Sequence, residues 1–208
     1  MTQTAVEIIE TTVGLPGRGL TILRPRDSEA LLDEEAFERN EFLPYWAELW
    51  PSGLALARVV AARDLRNRRV IELGCGLALP SIVAALGGAH VLATDWSADA
   101  LVLAATNAHR NGAELEVAVC SWAAPDPIVD LGPWDLVLAS DVLYERQNVE
   151  LLLGLLPRLA GEVLLADPGR PAAKPFLEQA ARDGWQVSVE RDDLLARVTL
   201  YRLTRARQ

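Results

Sequence analysis

The sequence predicts an α/β protein: a seven-stranded, mostly parallel sheet with helices on both faces and an antiparallel edge strand. Three observations carry this prediction. Arg69–Leu73 is a short apolar run that Gly74 and Gly76 break, and Pro80 then opens an apolar helix over Ser81–Leu86. From there to Glu190, short apolar runs alternate with longer helix-prone segments. The polar residues with chemical capacity fall just after the apolar runs, not within them. Strand, glycine turn and helix together form the first unit of a Rossmann-like, nucleotide-binding fold.

Each element follows in order. Val6–Glu10 and Leu20–Arg24 read as short strands around a turn-rich stretch, Gly14–Gly19. Asp27–Asn40 is acidic and helix-prone, with Ser28 placed to cap it. Leu43–Gly53 is aromatic and interrupted by Pro44 and Pro51, so neither a regular helix nor a strand is expected there. Leu54–Asp64 follows as an apolar helix that leads into the first core strand. The second core strand, His90–Thr94, ends in Asp95. Ser97 then caps a helix that reaches the Asn111-Gly112 turn. Glu114–Val119 is the third strand, and a proline-bearing loop, Ala123–Pro133, leads to the fourth, Trp134–Ala139. A helix over Val149–Leu159, a strand over Glu162–Ala166, a helix over Lys174–Asp183 and a strand over Trp185–Glu190 continue the alternation. Val198–Leu203 alternates and closes the chain. Two strands so near each other in sequence imply an antiparallel edge.

The 208 residues suit one domain over 1–208 with a substantial core. Half the chain is hydrophobic and 24% is charged, the balance of a soluble globular protein. No apolar run reaches the ~20 residues a membrane helix needs. Met1–Glu10 is polar and acidic, unlike a basic-then-apolar leader, so a cytoplasmic location is expected, and a monomer is favoured. Cys75 and Cys120 sit in apolar contexts and are expected as thiols. With His90 and His109 they show no metal-ligand spacing, so no metal is expected. The net charge of −9 opposes binding to a phosphate backbone and suits a basic, lysine-bearing protein partner.

The glycine turn narrows the ligand. A dinucleotide fingerprint wants a third glycine three positions after the second, and Leu79 stands there. Gly-Lys-Ser/Thr is absent, which excludes a P-loop. Asp95 lies where an acid about 20 residues after such a turn holds a ribose hydroxyl pair. Ligands of open parallel sheets bind outside the carboxyl ends of the strands. The residues there are Glu72 and Gly74, Asp95 and Trp96, Ser121 and Trp122, then Ser140, Asp141 and Tyr144, and finally Asp167, Pro168, Gly169 and Arg170.

Glu72-x-Gly74-x-Gly76, with the small Ala78 two positions on, resembles the first motif of class I S-adenosyl-L-methionine (AdoMet) methyltransferases. Asp141-Val-Leu-Tyr144 resembles the Asp-x-x-Tyr motif of the seven-β-strand protein-lysine methyltransferases, and Trp50–Ala57 resembles their aromatic pre-motif. Asp167-Pro-Gly-Arg-Pro171, with Pro44-Tyr45-Trp46 upstream, looks most like the branch that methylates the β subunit of electron transfer flavoprotein, with its bacterial relatives. The resemblance spans Leu43 to Pro171. It implies AdoMet as cofactor, S-adenosyl-L-homocysteine as product and a protein substrate carrying a target lysine. Gly74, Cys75 and Gly76 would meet the methionine part of AdoMet through their backbone. Asp95 would hold the ribose, Trp122 would lie by the adenine, Trp50 would border the methionine end, and Ser140 would line the site by its backbone. Glu72, Trp96 and Ser121 complete the implied cofactor set. Residues 1–52 would form an N-terminal extension contributing to the rim of the site. Asp141 would orient the acceptor amine, and Tyr144 would shape its pocket.

Other readings stay open at this point. Trp122 could equally pack a loop, Trp46 and Trp50 could staple the N-terminal segment, and Asp141 could cap the next helix. A small-molecule N-methyltransferase would share the fold and the first motif, and so would a non-catalytic AdoMet-fold binding module. A nucleobase amino-methyltransferase would carry Pro-Pro-aromatic after the strand-four acid, which Val142-Leu143 does not match.

Overall fold

A glycine turn needs a rigid floor, and the strands supply it. Arg69–Leu73 forms β3, whose side chains are buried on both faces, as in a strand covered by helices on each side. The computed structural model describes residues 6–28, 31, 44–190 and 197–206. Most of the helix expected over Asp27–Asn40 lies outside them. Among the described residues the other strands are β1 Ile8–Leu15, β2 Arg18–Pro25, β4 His90–Asp95, β5 Glu116–Val119, β6 Leu136–Ser140, β7 Glu162–Asp167, β8 Gln186–Glu190 and β9 Thr199–Thr204. The helices are α1 Pro51–Ala61, α2 Leu79–Leu86, α3 Ala98–Arg110, α4 Asp126–Asp130, α5 Arg146–Leu159 and α6 Ala173–Arg182.

The main sheet is the expected seven-stranded one, in the order β5-β4-β3-β6-β7-β9-β8. Strands β3 to β7 pair in parallel, and β9 runs antiparallel to both β7 and β8. The antiparallel strand therefore sits one place in from the edge, and β8 takes the edge itself. The order reverses between β3 and β6: the chain leaves β3 toward β4 on one side, and leaves β6 toward β7 on the other. That divergence opens a crevice at the carboxyl ends of β3 and β6.

Strand alternation sorts the core into two faces. Val70, Leu136, Leu138, Leu164 and Leu200 pack with α1, α2 and the β1–β2 hairpin. Ile71, Leu73, Val137, Leu165 and Leu203 pack with α5 and α6, where Leu152, Leu155 and Phe176 are buried. The hairpin is a separate two-stranded sheet, longer than expected, with Leu15 opposite Arg18 and its turn at Pro16-Gly17. Two asparagines of α3 hold it. Asn107 accepts from the Leu23 N–H at 2.7 Å and donates to the Leu23 carbonyl at 3.1 Å. Asn111 does the same for Thr21, at 2.9 and 2.8 Å. Each primary amide stands in for a missing strand on the open edge of β2.

Several boundaries differ from expectation. Helix α1 begins at Pro51, not Leu54, because proline in the first turn removes an N–H that has no helical partner there. Only Tyr45–Ala47 of the preceding aromatic stretch is helical, as a single 3-10 turn. The loop before β6 contains the short helix α4, with Pro125 at its cap and Pro127 in its first turn.

Candidate active site

A cavity of about 640 Å³ opens at the carboxyl ends of β3, β4, β6 and β7. Its floor is the turn after β3. Cys75 donates its N–H to the Thr94 carbonyl at 2.9 Å, which ties the turn to the neighbouring strand. Gly74 and Gly76 have φ of +67° and +49°, in the left-handed region that favours glycine. A Cβ on Gly76 would stand 2.9 Å from the Trp46 carbonyl oxygen, and one on Gly74 would stand 3.3 Å from Val142. The turn is therefore pressed between the segment before α1 and the loop after β6. Ala78, at the N-cap of α2, also holds a positive φ, 60°, which glycine adopts more easily.

Glu72 departs from the expected role. It is completely buried beneath the turn and does not line the cavity. Alternation on β3 directs it to the α2 face, where its Oε2 accepts from the Ser81 N–H at 3.0 Å and the Ser81 hydroxyl at 2.5 Å. Burial pushes its carboxyl up to about 8, against the lowering effect of the Ser81 bonds. Glu72 thus clamps the first turn of α2 to β3 and supports the glycine turn from below. Its sequence position beside the glycines suggested contact with a ligand; the strand period decided otherwise.

Asp95 ends β4 on the cavity wall and is only 4% exposed. One carboxylate oxygen accepts from the Gly76 N–H at 2.9 Å and the other from the Ser97 N–H at 3.0 Å. Burial raises its pKa, and these backbone bonds oppose the rise. Trp96 beside it is 43% exposed and also lines the cavity. After β5, Ser121 and Trp122 form the next wall; the Trp122 ring lies 3.6 Å from where a Gly74 Cβ would stand. Trp122 also packs against the second core cluster, so packing and wall are one position.

The opposite wall comes from β6, β7 and the segment before α1. Ser140 ends β6, its hydroxyl 3.7 Å from where a Gly53 Cβ would stand. Asp141 follows at φ 59°, in a conformation aspartate tolerates better than most residues. Its N–H donates to the Ala166 carbonyl at 2.9 Å, and the Arg170 Nε donates to its Oδ1 at 2.5 Å. Asn148 of α5 donates to the Val142 carbonyl at 2.9 Å and so fixes the loop between. Tyr144 meets the ring of Tyr45 edge-on at 5.5 Å, and the Arg170 guanidinium lies 5.9 Å from its ring centre. Burial, then the charge of Glu145, pushes the Tyr144 hydroxyl up to about 12, so it stays protonated at neutral pH. Trp50 donates its indole N–H to the Tyr45 carbonyl at 2.7 Å, which holds Tyr45 over the mouth.

Of the residues expected at the site, Trp50, Gly74, Cys75, Gly76, Asp95 and Trp96 line this cavity, as do Ser121, Trp122, Ser140, Asp141 and Tyr144. Arg170, expected only among the strand-end residues, joins them, as do Tyr45 and Glu48, for which no site role is expected. Arg170 owes its place to Asp167, which is fully buried and accepts from the Gly169 and Arg170 N–H groups at 2.7 Å each. The Asp-Pro-Gly-Arg run was the available signal; what it lacked was any pointer to Asp141, 29 positions earlier. Among the described residues, no group of His, Cys, Asp and Glu is arranged to hold a metal ion, and no helix is long and apolar enough to cross a membrane.

Comparison with known proteins bears on this geometry. The lysine methyltransferase family profile matches residues 45–177, more than half of the chain. The electron transfer flavoprotein beta subunit lysine methyltransferase of Xenopus laevis is 36% identical over 136 residues, covering 61% of this chain and 53% of that protein. The matched region thus spans about half the length of that relative. The EEF1A lysine methyltransferase 3 of Mus musculus is 32% identical over 166 residues, covering 75% of this chain and 71% of its own. Among solved structures, the 16S rRNA methyltransferase RsmC of T. thermophilus, in complex with AdoMet and guanosine, superposes with a TM-score of 0.70. It is 14% identical, covers 98% of this chain and 52% of its own, and so attests the fold alone. On the family match and the extent of these alignments, the chain belongs to the lysine methyltransferase family.

Proposed function

We propose that this protein is an AdoMet-dependent protein-lysine N-methyltransferase acting in the cytoplasm. One observation carries the reading: the left-handed glycine turn, the Asp95 carboxylate and the Asp141–Tyr144 pair all face one cavity. Residues 1–208 act as a single catalytic domain, and the segment ending near residue 52 contributes Tyr45, Trp46, Glu48 and Trp50 to its rim.

The residues present fit AdoMet. Gly74 and Gly76 line the cavity and are only partly buried, so their backbone borders the space a ligand would take. Asp95 offers a carboxylate to ribose hydroxyls, and Trp122 with Trp96 offers flat apolar surface to an adenine. Gly74, Cys75 and Gly76 would hold the methionine part, with Trp50, Ser121 and Ser140 around it. When bound, AdoMet supplies a methyl group on a positively charged sulfur. Glu72 supports the turn from beneath.

The acceptor amine must lose a proton before it can react, since free lysine titrates near ~10.4. Asp141 Oδ1 is engaged by Arg170, and Oδ2 is the acceptor we assign to an N–H of the incoming amine. Tyr144 and Tyr45 wall the channel that the lysine stem enters, and they limit its approach to one line. Glu48 and Glu145 on the rim, with the net charge of −9, favour a basic segment of a partner protein. The β subunit of electron transfer flavoprotein is the first substrate to try, given the resemblance of the Asp167–Pro171 run.

The test is transfer of label from tritiated AdoMet into a soluble protein extract and into purified electron transfer flavoprotein β subunit. Labelled material should be protease-sensitive and RNase-resistant, and hydrolysis should return methyl-lysine. Label confined to small molecules would replace the reading with a small-molecule N-methyltransferase. Methyl-arginine in the hydrolysate would move the acceptor. AdoMet binding without transfer to any of these would leave a non-catalytic binding module.

A further inference from the structure

Among the described residues that line the cavity, Arg170 is the single cation. The carboxylates that line the cavity are Glu48, Asp95, Asp141 and Glu145. Glu48 pairs with Arg24 at 3.8 Å, Asp95 is taken by the Gly76 and Ser97 N–H groups, and Glu145 accepts from Gln147 at 2.5 Å. Asp141 is the acid beside the acceptor, and Arg170 holds its Oδ1 at 2.5 Å. Behind Arg170, Asp167 is engaged with the backbone of its own loop. Tyr45 and Tyr144 complete the titratable groups on this side. The thiols of Cys75 and Cys120 lie on the glycine-turn side, and burial raises both, so they stay neutral.

An unpaired Asp141 would work against methyl transfer. A carboxylate within about 4–6 Å of an amine favours its charged form by ~1–3 pH units, and the charged form has no lone pair to donate. The Arg170 guanidinium, always charged and carried on a backbone whose N–H Asp167 holds, cancels that field while leaving Oδ2 to accept a hydrogen bond. We propose that Arg170 is a positioning residue that selects the acceptor's protonation state: by pairing with Asp141 it makes the pocket favour the uncharged amine. The proton goes to solvent, and no group of the protein takes it up. This inference rests on the acceptor being an amine at this cavity, as argued above.

The experiment is the pH–rate profile of methylation under single turnover. Tritiated AdoMet is saturating, electron transfer flavoprotein β subunit and a soluble protein extract serve as parallel substrates, and enzyme is raised until the rate stops rising. The profile then reports the bound complex. Arg170→Gln should move the half-maximal pH alkaline by about one unit. Arg170→Lys, which keeps the charge, should hold it within ~0.3 unit. Asp141→Asn leaves the guanidinium unopposed and should move it acid, whatever its effect on the plateau. Calorimetry with AdoMet checks that each variant is folded. A residue that only staples the loop would scale the rate and leave the profile in place, so coincident profiles for Arg170→Gln and wild type overturn the inference. Should Arg170→Gln not fold, an unmoved or alkaline profile for Asp141→Asn overturns it instead. If wild-type protein labels no protein at any pH, the protein-lysine reading falls and this inference falls with it. Labelled methyl-lysine with coincident profiles removes the inference alone.

Discussion

Glu72→Gln tests the buried clamp beneath the glycine turn. The Glu72 carboxyl is fully buried, one oxygen takes both Ser81 bonds, and Oε1 has no hydrogen-bond partner. Its folded-state pKa of about 8 stands above the 4.5 of an exposed glutamate. Between those values the folded protein keeps a proton that the unfolded chain has released. The native state binds more protons, so stability falls as pH rises, by about 1.4 kcal/mol per unit from this group. Integrated from about pH 5 to about pH 8, the loss is roughly 3 kcal/mol. Glutamine keeps the shape of the protonated acid and does not titrate. Urea unfolding of wild type and Glu72→Gln across this range gives the two stabilities, and their difference should grow by about 3 kcal/mol in favour of the variant. The fixed cost of the extra amide hydrogen cancels in that comparison. A difference that stays constant within ~0.5 kcal/mol would show that Glu72 does not carry a raised pKa, and the clamp argument would fail.

Three further outcomes follow from the site. Asp95→Ala should weaken AdoMet binding by about 1.5–3 kcal/mol, the scale of a charge-assisted hydrogen bond, as read by calorimetry. Asp141→Asn should lower methyl transfer at least about tenfold, or ~1.4 kcal/mol of barrier, with AdoMet affinity close to wild type. Asparagine accepts the left-handed conformation at this position and caps helices as well as aspartate, so unchanged turnover would reduce Asp141 to a backbone role. Gly76→Ala adds a Cβ 2.9 Å from the Trp46 carbonyl at a φ of +49°; a stability loss of about 1–2 kcal/mol by urea unfolding and weaker AdoMet binding are expected, and wild-type values for both would refute the close packing.

The fold was legible because its signals are local. Strand β3, the glycine turn and Pro80 announce themselves within a dozen residues, and Ser97 caps α3 as its position predicts, accepting from the Ala100 N–H at 3.3 Å. The beginning of α1 is hidden because Pro44 and Pro51 look alike in sequence, whereas of the two only Pro51 occupies the first turn of an α-helix. The short α4 hid in a loop whose prolines read as breakers, although two of them stand at a helix start. The N-terminal strands are longer than their local apolar runs. Their pairing extends from Ile8 opposite Pro25 to Leu15 opposite Arg18, and a hairpin register is a pairwise property.

Taken by itself, the sequence determined the α/β class, the crevice at the strand ends and most of the residues around it. Hydrophobic period and glycine placement are properties of neighbours along the chain, and they suffice for those. The tertiary structure alone decided that Glu72 turns to Ser81 and away from the cavity, that the Trp46 carbonyl presses on Gly76, and that Arg170 meets Asp141. The last two join segments far apart in sequence, and the first depends on how α2 packs back onto β3. The Arg170–Asp141 pair arises because the sheet order sets β6 beside β7, so that the loops after them meet.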